Sequence, residues 1–117
     1  MSFSVEVEQK QNILCVRLHG ELDHHSASEL RAIVDRHLEE HNTKHIVLNA
    51  EGLTFMDSSG IGVILGRYKK LQPRGGRLIV CGVSAPVYRL FEMAGLFKVL
   101  SLEEQESHAL QALGEAV

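Results

Sequence analysis

The sequence predicts an α/β fold, a mixed sheet of four to five strands with about four α-helices packed against it, in the order β-β-α-β-α-β-α-β-α. Three observations predict it. The first 18 residues hold an alternating stretch and a second apolar run separated by four polar residues, as in an antiparallel hairpin. Beyond them, apolar residues at helical spacing alternate with short continuous apolar runs, the mark of buried strands. Each helical stretch is bracketed by capping residues, glycine or proline. Such alternation calls for parallel strands joined by right-handed helical crossovers.

Phe3, Val5 and Val7 alternate with Ser4, Glu6 and Glu8, the period of a half-buried strand. Ile13 to Leu18 reads as its hairpin partner, across Gln9 to Asn12. Ser26-Ala27-Ser28-Glu29 reads as a capping box opening a helix of about four turns, with Leu30, Ile33, Val34 and Leu38 on one face and its end near His41. Ile46, Val47 and Leu48 form a strand buried on both faces. Ser58 to Leu71 is helical by the spacing of Ile61, Ile64, Leu65, Tyr68 and Leu71, and stops before Pro73 and Gly75-Gly76. Leu78 to Cys81 is a further buried strand. Ser84 caps a helix with Pro86 in its first turn, carrying Val87, Leu90, Phe91 and Met93, and Gly95 ends it. Lys98 to Leu100 is expected as a brief strand, and Ser101-x-x-Glu104 as the cap of a last helix reaching about Leu113.

With 117 residues, 44% of them hydrophobic and 23% charged, the chain has the size and balance of one folded domain, and a single domain over 1–117 is expected. A net charge of -3 with interspersed signs supplies no basic field for nucleic acid. The chain does not begin with a charged and then apolar leader, and no apolar run approaches the roughly 20 residues that span a bilayer, so a cytoplasmic protein without membrane insertion is expected. Cys15 and Cys81 sit far apart inside apolar runs and read as buried free thiols.

The most informative stretch is Phe55-Met56-Asp57-Ser58-Ser59-Gly60-Ile61-Gly62, which joins a strand to a helix with hydroxyls, a carboxylate and glycines at the helix start. Gly62 and Gly66 lie inside that helix, where each costs about 1 kcal/mol relative to alanine. Two readings stay open on the residues alone. In one, Asp57 or Ser58 caps the helix and the glycines, Gly62 and Gly66 above all, let it pack closely on the sheet. In the other, the helix N-terminus is a place for a phosphate, carried on Ser58 or Ser59.

Enzymatic readings fail on spacing. A nucleophile elbow needs glycine two residues before the serine, and those positions are Met56 and Asp57. Gly60, Gly62 and Gly66 miss the dinucleotide fingerprint, which needs a glycine at Leu65, and Arg67 replaces the lysine of a phosphate loop. His37-Leu38-Glu39-Glu40-His41 has zinc-peptidase spacing, but lacks a third ligand and lies at the polar end of a helix; His24-His25 is a loop pair. No enzyme activity, metal or cofactor is expected.

With Asp57-Ser58-Ser59-Gly60 placed between a strand and a glycine-bearing helix, the chain resembles the STAS domains, and among them the anti-sigma factor antagonists of sporulation. Leu14 to Leu18, Gly20 to His25, His45 to Asn49, Phe55 to Gly60, Gly62 to Lys69 and Gly95 to Lys98 carry the resemblance nearly end to end. It implies that Ser58 is phosphorylated by the partner, an anti-sigma factor that is also a serine kinase. The unphosphorylated form would bind that partner and free the sigma factor, and a serine phosphatase would regenerate it; ATP belongs to the kinase. It also implies a partner-binding surface of Asp23, Asp57, Ser58, Ser59, Gly60 and Ile61, with Met56 and Arg67 as further flanking candidates. Asp23 has a competing role as the cap of the following helix. Other STAS domains suggest an alternative, a scaffold or small-ligand-sensing module.

Overall fold

The computed structural model describes residues 2–114 of the chain. The single domain expected over 1–117 extends beyond these at both ends. Five strands form one sheet in the order β1-β2-β3-β4-β5: β1 (Phe3–Lys10), β2 (Ile13–Leu22), β3 (His45–Met56), β4 (Leu78–Cys81) and β5 (Ser101–Glu103). β1 and β2 are the expected antiparallel hairpin, closed at Gln11, whose φ of 55° is left-handed. The remaining pairs are parallel. The helices α1 (His24–Glu40), α2 (Ser58–Leu71), α3 (Ala85–Met93) and α4 (Glu106–Ala112) complete the expected order. Among the described residues no helix is long and apolar enough to cross a membrane.

Because the strands succeed one another in sequence order, crossovers of a single hand place α1, α2 and α3 on one face of the sheet. Leu14, Val16, Leu18, Ile46 and Leu48 point to that face and pack with Leu30 and Val34 of α1, Ile64 of α2 and Phe91 of α3. The opposite face is apolar over a smaller area. Ile13, Cys15, Val47, Ile79 and Cys81 are covered there by Ala109 and Leu110 of α4. Both cysteines are free and fully buried, and burial pushes their thiols up to about 11 for Cys15 and about 12 for Cys81.

Four details differ from expectation. α1 starts three residues earlier, because Asp23 and not Ser26 is its N-cap: the Asp23 carboxylate accepts from the amides of His25 and Ser26, and the Ser26 hydroxyl accepts from the Asp23 amide at 2.7 Å. β3 is 12 residues long, not three, because two register shifts against β2 move its core-facing positions from Ala50 to Leu53 and then to Met56, spacings of three that hide the strand's alternation. Lys98 to Leu100 is no strand. Gly95 at φ 73° turns the chain into a 3-10 turn, Leu96–Lys98, whose closing bonds from Val99 and Leu100 to the Leu96 carbonyl tuck Leu100 into the core. Ser101 is consequently spent in β5 against Ile79, and Gln105 precedes α4 in the capping position. Ser84 does precede α3, with no side-chain hydrogen bond to it.

α4 is tied down by charge as well as by packing. Arg17 grips Glu106 through Nε and Nη2 at 2.9 and 2.8 Å, reaches Glu8 at 2.9 Å, and Asn49 adds a bond to Glu106 at 3.2 Å. The Arg17 contact holds the Glu106 carboxyl below its ordinary value of 4.5 against the opposing effect of burial. A carboxyl depressed by folding stabilises the fold above its unfolded pKa, and that contribution is lost as pH falls through the folded value. Glu106→Gln should therefore lower stability by about 1–2 kcal/mol at pH 7 and by much less at pH 3, as read by urea unfolding at both pH values.

Candidate functional site

Leu22 and Met56, the last residues of β2 and β3, are register partners in adjacent parallel strands. Each is followed by an aspartate that caps a helix. Asp23 (φ -110°, ψ -166°) opens α1 and Asp57 (φ -117°, ψ -169°) opens α2, so two helices leave the sheet side by side in the same way. The Asp57 amide donates to the Leu22 carbonyl at 3.3 Å, which fixes the start of α2 to the end of β2. The Asp57 carboxylate accepts from the Ser59 amide at 2.9 Å, and its carbonyl accepts from Gly60 at 3.0 Å. Asp23 is bound more fully: hydrogen bonds from Ser26, backbone first and hydroxyl second, hold its carboxyl below the ordinary value.

The expected site residues divide by exposure. Ser58, the first helical residue of α2, is exposed, and Phe55 beside it is 46% exposed. Asp23, Asp57, Ser59 and Ile61 are half-buried, with Ile61 packed against the main core. Gly60 faces inward. A Cβ there would stand 2.4 Å from Met56 Cγ and 3.0 Å from Leu22 Cδ2, so this glycine, and the buried Met56 above it, let the helix start lie against the strand ends. Gly62 and Gly66 correct the packing expectation: a Cβ at either meets nothing within 4 Å, and their absent side chains leave α2 backbone open.

A groove between α1 and α2 begins at this point. His24, Ser28, Arg31, Ser59, Gly62 and Arg67 line it. Arg67 is only 11% exposed in its side chain, and Asp35 on α1 faces both it and Lys70 at 3.2 Å. The Arg67 Nε approach to Asp35 is off the hydrogen-bonding direction, which leaves Nε and Nη1 buried without a hydrogen-bond partner. Burial pushes the Arg67 pKa down, opposed by Asp35. Sequence reasoning placed Arg67 among surface candidates and missed Arg31 and Asp35; their spacing of four on α1 was the available signal. On the other side of α1 lies an acidic hollow lined by Glu21, Asp23 and Glu29.

The histidine pairs are simply stacked or edge-on: His37 and His41 at 5.4 Å between ring centres, His24 and His25 at 5.8 Å. Among the described residues no three His, Cys, Asp or Glu side chains gather as a metal site.

The family described as the STAS domain matches residues 4–109. Over 113 residues, 97% of each chain, the sequence is 46% identical to the anti-sigma F factor antagonist of Paenibacillus polymyxa. It is 38% identical over 96 residues to the anti-sigma F factor antagonist of Lysinibacillus sphaericus, covering 82% of this chain and 81% of the relative. Among solved structures, the anti-sigma factor antagonist SpoIIAA in its unphosphorylated form superposes with a TM-score of 0.76 at 30% identity, covering 98% of this chain and 100% of that one. The Bacillus cell fate determinant SpoIIAA in the phosphorylated form gives 0.76 at 32% identity, covering 94% and 99%.

The glycines of α2 yield opposite expectations. Gly60→Ala should destabilise by about 1–3 kcal/mol, because Met56 and Leu22 must shift. Gly62→Ala should leave stability unchanged or raise it by up to about 1 kcal/mol. Thermal melts of the two variants beside the parent chain decide the matter, and a loss at Gly62 equal to that at Gly60 would contradict the packing described.

Proposed function

The chain belongs to the STAS domain family, and from that premise we propose that it is a cytoplasmic anti-sigma factor antagonist of the sporulation type. Unphosphorylated, it binds an anti-sigma factor that is also a serine kinase and so releases the sigma factor. Phosphorylation of Ser58 by that kinase ends the interaction, and a serine phosphatase restores it. The chain receives the phosphoryl group and catalyses nothing.

The observation that carries this reading is the position of Ser58, an exposed hydroxyl in the first turn of α2, in a chain whose curated relatives are antagonists over nearly their whole length. A phosphoryl group there adds about -1.5 to -2 charges at neutral pH. It would meet the positive end of the α2 dipole, which favours it within the free protein. At an interface the same charge would be buried or face the partner's acidic groups, and about 1.4 kcal/mol is already a tenfold loss of affinity. The role of partner surface falls on Asp23, Asp57, Ser58, Ser59 and Ile61, with Gly60 acting from beneath.

The core offers an apolar small ligand little room. The apolar void between α1, α2 and the sheet, lined by Val16, Leu30, Ile64 and Leu78, holds about 10 Å³, hardly the space of one water.

Mass spectrometry after incubation with the anti-sigma factor kinase of the same organism and ATP should place one phosphate on Ser58. Ser58→Ala should take up none and still bind the kinase, whereas Ser58→Asp should bind at least about tenfold more weakly. Phosphate found on the Ala variant would move the acceptor to Ser59, and loss of binding by that variant would count against an exposed acceptor.

A further inference from the structure

We infer that the groove between α1 and α2 receives an acidic side chain of the anti-sigma factor, an aspartate or glutamate seated against Arg31 and Arg67 beside Ser59. The inference rests on the proposed function and names the chemistry of that docking.

Charge is the first argument. In a chain with a net charge of -3, this groove and its floor gather Arg31, Arg67 and Lys70 around one carboxylate, Asp35. Arg67 and Lys70 share it, and Arg31 bridges to no carboxylate among the described residues. Three cations against one anion leave the groove short of negative charge. The Arg67 guanidinium is held in place by burial, its Nε and Nη1 turned inward and Nε facing Asp35 at 3.2 Å, so that it acts on the groove as a fixed positive charge. The exposed Arg31 is the guanidinium that an incoming aspartate or glutamate meets with two parallel hydrogen bonds.

Shape is the second. The open backbone at Gly62 leaves room in the groove wall, and the hydroxyls of Ser28 and Ser59 stand along it as further donors. Position is the third. Ser59 lines the groove and Ser58 precedes it, so a phosphoryl group on Ser58 adds its charge at the mouth and repels the arriving carboxylate. Across α1 the hollow of Glu21, Asp23 and Glu29 has the opposite sign. A partner carrying an acidic group for the groove and a basic group for the hollow would be admitted in one orientation only.

The test is calorimetric titration of the unphosphorylated chain with the anti-sigma factor kinase of the same organism, at low and at physiological salt. Arg31 is exposed, so Arg31→Glu should fold as the parent does, as checked by circular dichroism and melting. It should bind at least about tenfold more weakly, Arg31→Lys within about threefold of the parent, and Arg31→Gln with a shallower salt dependence. Binding of Arg31→Glu within about twofold of the parent overturns the inference and leaves the proposed function standing. Failure of the parent chain itself to bind overturns both.

Discussion

The pairing of Leu22 with Met56 at the ends of two parallel strands is the constraint from which the rest of the molecule follows. It sets Asp23 and Asp57 next to each other, and each aspartate then launches a helix by accepting from the amides that the first turn leaves free. Helices launched from neighbouring strands by the same device run alongside one another. Their contact brings Asp35 against Arg67 and opens the groove at their start. The exposed serine, the acidic hollow and the cationic groove are thus consequences of one register.

That register is not a simple one. β3 carries one more residue than β2 at each of two places, between its partners of Arg17 and His19 and between those of Gly20 and Glu21. One extra residue lets Leu53 share the core face with Ala50 three positions before it, and the other does the same for Met56 after Leu53, so that all three pack inward and Met56 lies over Gly60. The irregular half of the strand is the half next to the site, as bulges commonly are. The regular half, Ile46 to Leu48, serves the core on both faces.

This explains which parts were legible in the sequence. α2 and β4 obey a single period over their length and were read at their observed bounds, and the hairpin was read as a hairpin, but β2 continues past the expected end at Leu18 to Leu22, through the stretch where its register with β3 shifts. β3 changes phase twice, so only its regular start was visible. For α1 two acceptors competed for the capping position, and local pattern favoured Ser26, while strand pairing put Asp23 where the chain leaves the sheet. Near Lys98 the apolar residues face the core from a turn instead of a strand, a choice made by Gly95. Asp57 and Ser58 were legible because capping and exposure are local; the groove was not, because Arg31 and Arg67 are 36 residues apart and meet only through the packing of α1 on α2.

A phosphoryl group on Ser58 would act on affinity far more than on fold, and the hydrogen bonds explain why. The Asp57 carboxylate is already committed to the Ser59 amide, so the helix start does not depend on the Ser58 hydroxyl. The 14 residues of α2 are anchored on Gly60, Val63, Ile64 and Leu71, all facing away from that hydroxyl toward the core. Charge added at the first helical position meets a favourable dipole and water. Only when a partner removes the water does the same charge become costly, and it then stands between two surfaces of opposite sign, one of which attracts it while the other repels it. The stability of the domain rests elsewhere, on the register of β2 with β3 and on α4 clamped by Arg17 across the far face of the sheet. With the supports placed away from α2's first turn, a charge added at the Ser58 hydroxyl would leave the fold intact.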